Sequence, residues 1–198
     1  MRVLLILAHP RPGSLNAAIA RICQEALTGL GHAVSFHDLY AEGFDPLLPA
    51  AELARDAGLE PAVASYCLEL AASDALVCVH PNWWGMPPAA LVGWVDRVLR
   101  PGVAYEFLAG DTGEGVPRGL LAGKTLVVLN TSDTPRMREQ SAFGDPLDLI
   151  WRKCIAGLCG ISAFHRQTFG VVVTSTPGER AAWLDQARAL MGRLFPPA

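Results

Sequence analysis

This sequence predicts an α/β fold built on a parallel sheet, and three observations predict it. Strand-like and helix-like stretches alternate along the whole 198-residue chain. The strand-like stretches, "RVLLILA" and "ALVCVH" among them, are continuous apolar runs, as expected of strands covered on both faces. The helix-like stretches open at caps or prolines and several close at glycine. Strands separated by helices pair in parallel through right-handed crossovers, with helices on both faces of the sheet.

The first strand covers 2–8. Its apolar run is too short for a signal peptide and ends in His9-Pro10 rather than at a small-residue cleavage site. Ser14 and Asn16 offer N-caps for the helical run "NAAIARICQEALTGLG", which stops at Gly31. A second strand covers 33–39, and Gly43, Pro46 and Pro49 make 40–60 irregular. The helix over 61–74 has proline in its first turn. A third strand, 75–80, and a helix, 88–99, follow. Residues 100–123 form a glycine-rich excursion; a fourth strand covers 124–130 and a polar loop 131–145. Helical "PLDLIWRKCIAGLCG", a fifth strand over 165–173 and a closing helix over 178–195 complete the chain. No repeat or linker divides it, so a single domain is expected over 1–198.

Composition narrows the class. Hydrophobic residues make up 51% and charged residues 18%, enough for a packed core. A formal net charge of −3 argues against nucleic acid or an anionic membrane as partner, since both want a basic face. No apolar stretch reaches the length of a membrane span. The five cysteines show neither metal nor redox-pair spacing, and three lie in apolar runs; reduced thiols in a cytoplasmic protein are the simplest account. His32, His37 and His165 lack metal-ligand spacing, so no metal site is expected. "GDTGEG" at 110–115 lacks calcium-loop spacing and reads as a turn.

Ligands of such sheets bind beyond the carboxyl ends of the strands, and three loops with unusual content leave those ends. "HPRPGSLN" leads into the first helix, whose free amides and dipole favour an anion. It matches neither the dinucleotide fingerprint nor a P-loop. "HPNWWGMPP" places two indoles beside Asn82 and Gly85, the makings of a platform for a planar heteroaromatic ring. Two adjacent indoles in a loop cannot both fill core, whereas Trp94 and Trp151 lie in helical patterns and read as core. "NTSDTPRMREQSAFGDP" offers Thr131, Ser132 and Asp133 as hydrogen-bonding groups. Arg136 and Arg138 further along it read as a solvated loop face, with the phosphate of NADPH as the alternative partner.

"LAHPRPGSLN", "HPNWWGMPPAALVGWVDRVLRPGVAY" and the strand and polar loop at 124–133 resemble the flavodoxin-like NAD(P)H:quinone oxidoreductases, a family that includes the ancillary oxidoreductases of bacterial potassium efflux systems. The resemblance runs to about Gly160. It implies a flavodoxin-like three-layer sandwich, with five parallel strands in the order 2-1-3-4-5 and a flavin, FMN or FAD, at the carboxyl edge. It also implies NAD(P)H as co-substrate, a quinone or similar small acceptor, and a homodimer with each active site at the interface. By the same resemblance His9, Ser14, Leu15 and Asn16 lie near the flavin phosphate and ribityl chain. Pro81, Asn82, Trp83, Trp84 and Gly85 flank the isoalloxazine, and Thr131 and Ser132 face its polar edge.

The chain departs from that pattern in the third loop. Ser132 and Asp133 stand where well-known members carry two glycines after the threonine. Met137 and Phe143 occupy the positions nearest to a tyrosine and a histidine proposed to assist hydride transfer. The flavin carries the hydride chemistry itself, so the scheme needs no obligatory side-chain acid or base. Two rivals stay open: a flavodoxin-type electron carrier, to which a charge of −3 lends little support, and a flavin-binding sensor or ancillary subunit.

Overall fold

The computed structural model describes residues 1–111 and 114–197. Thr112 and Gly113 of the expected turn at 110–115 lie outside the described residues. Five parallel strands form the sheet: β1 (Arg2–Leu7), β2 (Ala33–Asp38), β3 (Ala75–Pro81), β6 (Thr125–Ser132) and β7 (Ala163–Gly170). A separate two-residue antiparallel ribbon, β4 (Tyr105–Glu106) with β5 (Arg118–Gly119), lies in the glycine-rich excursion. The sheet order is β2-β1-β3-β6-β7. With the ribbon left out this is the 2-1-3-4-5 order that the resemblance implies. The reversal between β1 and β3 makes their carboxyl ends the natural ligand edge.

Helices α1 (Leu15–Gly29) and α7 (Pro177–Leu194) cover one face of the sheet. The other face carries α2 (Pro61–Ala72), α3 (Ala89–Val98) and the helical stretch from α5 (Pro146–Asp148) to α6 (Gly157–Cys159). The continuous apolar runs follow from this arrangement. Leu4 and Ile6 pack on the α3 side, and Val3, Leu5 and Leu7 on the α1 side, because successive strand residues point to opposite faces. Trp94 and Trp151 are completely buried on the α3 side, as core.

Ser14 caps α1, its hydroxyl accepting from Ala17 N at 3.1 Å. Asn16, the other cap candidate, lies inside the helix and is turned inward. Two strand boundaries also differ from expectation. β6 runs two residues further, so Thr131 and Ser132 belong to the strand and pair with Phe169 and Gly170. β7 begins at Ala163 and ends at Gly170, so Val171–Val173 lie beyond it. The valine run mimics a strand, but β6 ends at Ser132: Val172 N donates to Ser132 O at 3.1 Å, and the pairing stops there.

Arg97 ties down the irregular segment 40–60 at three points. Arg97, 1% exposed, donates to both carboxylate oxygens of Glu52, to Glu60 and to Asp45 O, at 2.7–3.0 Å. The Arg97 guanidinium holds the Glu52 carboxyl below its usual range. Gly93 on α3 permits the close approach: a Cβ there would lie 2.1 Å from Pro46 O.

Two stretches, Glu139–Phe143 and Leu149–Ala156, are wound as wide π-helical turns. The first skirts the ligand edge. The second carries Trp151 under it.

Candidate functional site

The three loops meet at the carboxyl ends of β1, β3 and β6 around a cleft of about 320 Å³. Nine of the eleven residues expected at a cofactor line it: His9, Ser14, Leu15, Asn16, Pro81, Asn82, Trp83, Thr131 and Ser132. Trp84 and Gly85 do not; they line a neighbouring chamber of about 370 Å³ with Phe143 and Pro146.

The cleft floor is polar and buried. Ser14, Asn16, Thr131 and Ser132 are each no more than 6% exposed. Asn16 Nδ2 donates to Thr131 Oγ1 at 2.9 Å, joining α1 to β6 beneath the cleft. Asn16 Oδ1 is buried and has no hydrogen-bond partner among the described residues. A buried acceptor left unpaired costs about 1–3 kcal/mol, so this atom calls for a donor that the protein does not supply. Ser14 sits at the N-terminus of a 15-residue helix, where free amides and the dipole favour negative charge.

One wall is aromatic. Trp83 and His9 face each other with ring centroids 6.0 Å apart and planes inclined at 55°. Burial pushes the His9 imidazole below its usual range, and its Nδ1 accepts a hydrogen bond from Arg11 N at 3.1 Å. The two tryptophans diverge as adjacent side chains must: Trp83 is 42% exposed and Trp84 97%. A tight turn separates them, with Trp83 and Met86 exchanging backbone hydrogen bonds at 2.9 and 3.0 Å. Trp84 and Gly85 both have positive φ, 58° and 75°, as a type I′ turn requires. Glycine accepts this at no steric cost; a tryptophan does not.

Asn82 holds the turn. Its N–H donates to Thr131 O at 2.7 Å, its Oδ1 accepts from Gly85 N at 3.0 Å, and its Nδ2 donates to Glu139 Oε1 at 3.2 Å. Beneath it, completely buried His80 accepts from Trp151 Nε1 at 3.1 Å and donates through Nδ1 to Pro81 O at 2.8 Å. That pairing fits the neutral tautomer only, and burial pushes the imidazole down to about 4.

A third chamber of about 470 Å³ adjoins the cleft at Asn82 and Ser132. Arg166 forms its inner wall, donating to Asp145 at 2.7 Å and to Asn130 at 2.9 Å. Asp148 pairs with Arg152 at 2.9 Å, which holds its carboxyl below the usual range. Asn82 lines all three spaces.

Sequence reasoning did not single out Arg11, Val172, Glu139 or Arg166, although the first two line the cleft and the last two the adjoining chambers. Arg11 and Glu139 lay inside two of the quoted loops. Val172 and Arg166 reach the site from β7 and the chain after it, and only the fold brings them there.

The family described as Flavodoxin-like fold matches residues 1–191. An uncharacterized NAD(P)H oxidoreductase of Haemophilus influenzae is 32% identical over 94% of this chain and 92% of its own. The mouse ribosyldihydronicotinamide dehydrogenase [quinone] is 27% identical over 96% of this chain and 91% of its own. Among solved structures, an NAD(P)H:quinone oxidoreductase from Methanothermobacter marburgensis superimposes with a TM-score of 0.79 at 25% identity, covering 98% of this chain and 96% of that one.

Proposed function

Because the chain belongs to the flavodoxin-like fold family, we propose that it is an oxidoreductase that passes a hydride from NAD(P)H, through a bound flavin, to a quinone or similar small electrophilic acceptor. The observation that carries this reading is the cleft itself. A helix N-terminus, a buried polar floor and an aromatic wall share one space of about 320 Å³. An anion, a hydroxylated chain and a flat ring are what those three parts recognise.

The residues present fit a flavin. The unpartnered Asn16 Oδ1 accepts from a ribityl hydroxyl. Ser14, Leu15 and the first amides of α1 receive the phosphate, with His9 and Arg11 beside it. Trp83, Pro81 and Asn82 bound the ring, and Thr131 and Ser132 meet its polar edge. The flavin supplies the hydride chemistry when bound; the protein orients it and keeps water from one face. FMN fits the anion site alone, and FAD would extend beyond it.

Trp84 and Phe143, which line the adjoining chamber, and Met86, Met137 and Leu149, which lie near its lining residues in sequence, are each at least half exposed. A second copy of the chain covers this apolar rim, making a homodimer whose interface completes the acceptor space. No helix among the described residues is long and apolar enough to cross a membrane, and the five cysteines are free thiols; both suit a cytoplasmic protein. One observation favours the ancillary-subunit reading: Asp133, in a glycine position of the resembling family, lines the cleft with its carboxylate bound to Val173 N at 2.7 Å.

The test is direct. The purified protein is expected to be yellow, to release FMN or FAD on denaturation, and to oxidise NAD(P)H with menadione as acceptor. A protein that takes up no flavin overturns the reading. One that binds flavin but is not reduced by NAD(P)H in a stopped-flow experiment is a carrier or a sensor.

A further inference from the structure

Among the aspartates, glutamates, lysines and arginines of the described residues, four are buried: Glu52, Arg97, Arg100 and Glu139. Glu52 and Arg97 form an ion pair. Arg100 donates to Ala54 O at 2.9 Å. Glu139 alone is a buried carboxylate with no cation within ion-pair distance among the described residues. Its single side-chain hydrogen bond, from Asn82 Nδ2 to Oε1, is 3.2 Å long, and Oε2 has no partner among the described residues. Buried carboxylates are ordinarily paired, so one left without a cation at a cavity wall calls for a reason.

Its position sharpens the point. Glu139 lines both chambers that adjoin the cleft, and both meet the cleft at Asn82. The other charged groups facing these chambers are Arg136, Arg138, Asp145, Asp148, Arg152 and Arg166. Asp145 is committed to Arg166 and Asp148 to Arg152. Arg136 and Arg138 are exposed to solvent. Glu139 is thus the one acid beside the acceptor space that is both sheltered and uncommitted.

We propose that Glu139 is a catalytic acid, donating the proton that accompanies hydride transfer to the acceptor; this rests on the oxidoreductase reading above. NAD(P)H gives up a hydride and leaves as NAD(P)⁺. A quinone that receives the hydride becomes a hydroquinone only when its second oxygen takes a proton. The Glu139 O–H bond breaks as that oxygen's O–H bond forms, and the carboxylate regains a proton from water in the chamber. The sum is NAD(P)H, one proton and quinone giving NAD(P)⁺ and hydroquinone.

Glu139→Gln keeps the shape and the hydrogen bond from Asn82 while removing the acid. Holoenzyme reduced by NADPH is mixed with menadione in a stopped-flow instrument. The variant is expected to reduce menadione about 100-fold more slowly, with its own reduction by NADPH within about twofold of wild type. Glu139→Asp is expected to restore part of the rate. A readout without turnover is 4-nitrophenol bound to the oxidised holoenzyme, whose absorbance reports its ionised fraction. With the Glu139 O–H directed at its oxygen, it is expected to ionise at lower pH than in Glu139→Gln. Unchanged menadione rates in Glu139→Gln, or equal losses in both half-reactions, overturn the proposal and leave Glu139 as the anchor of Asn82. A wild-type protein that NADPH does not reduce overturns the reading beneath it, and the proposal falls with it.

Discussion

His80 lies at the end of β3, one residue before the cleft, with every polar atom of its ring engaged. Protonation would point an N–H at the N–H of Trp151, so the folded state excludes the imidazolium. Its folded value, about 4, lies below the ordinary 6.5. Between those values the unfolded chain binds a proton that the folded chain refuses, so stability drains away as pH falls from 6.5 toward 4. A gap of that size corresponds to roughly 3 kcal/mol. Glu52 and Asp148, held low by arginines, lose their contributions in the same direction at lower pH, so the comparison must be differential. Urea unfolding of His80→Gln, whose amide can still accept from Trp151, is expected to show a shallower loss than wild type between those two values. Parallel curves would contradict the assignment. The tryptophans give a second contrast. Trp83→Ala is expected to weaken flavin binding by about 1–3 kcal/mol and scarcely move the melting temperature of the apo protein. Trp94→Ala, which empties a fully buried site, is expected to cost about 3–5 kcal/mol of folding stability. Fluorescence titration and calorimetry read the two. The divergence of Trp83 from Trp84 was legible, because adjacent side chains cannot share a direction. Which one stays at the cleft was not: that depends on a turn whose second indole takes a positive φ, a conformation that no tryptophan advertises.

At the scale of elements, the first helix does two things at one end. Ser14 caps it through Ala17 N, and the same end faces the cleft. Ser14→Ala removes a hydroxyl from the phosphate site and a cap from the helix. Losing a donor to a charged group costs about 1.5–3 kcal/mol, so FMN affinity is expected to drop about tenfold or more. Riboflavin, which lacks the phosphate, is expected to bind almost as before; equal losses for both would assign Ser14 to holding the loop alone. Strands and helices were readable because their apolar periodicity reports which faces are covered. The ends of β6 and β7 were misread for a related reason. Hydrophobicity fixes where a strand is buried, but pairing fixes where it stops, and Val171–Val173 are apolar without a partner strand. The order in segment 40–60 was hidden for another reason. It depends on Arg97, which lies about forty residues away in sequence and reads as one more charge on a helix.

At the scale of the whole molecule, the exposed apolar rim sets the expected assembly. Trp84 and Met137, 97% and 83% exposed, are costly to leave in water at the mouth of a cleft. Sedimentation velocity at micromolar concentration is expected to show a dimer. Trp84→Asp combined with Met137→Glu is expected to yield a folded monomer with weakened acceptor reduction. A monomeric wild type would overturn the arrangement. The resemblance and the covered-strand pattern made the sheet and nine of the cleft residues legible in advance. The two adjoining chambers were not, since their walls come from β6, β7 and two wide helical turns that no local pattern brings together.

The site is built from two kinds of material. Its floor, Asn16, Thr131, Ser132 and the His80–Trp151 pair beneath, is buried in helices and strands that also hold the molecule together. The chamber beside it is of the other kind: two of its walls, Trp84 and Phe143, are exposed side chains. The two will therefore age differently under mutation. Changes to the floor are expected to cost folding and cofactor at once, and selection removes them. Changes to the chamber walls are expected to leave both intact and to alter only which molecules fit beside the cleft, so descendants of this chain are free to drift in what they accept.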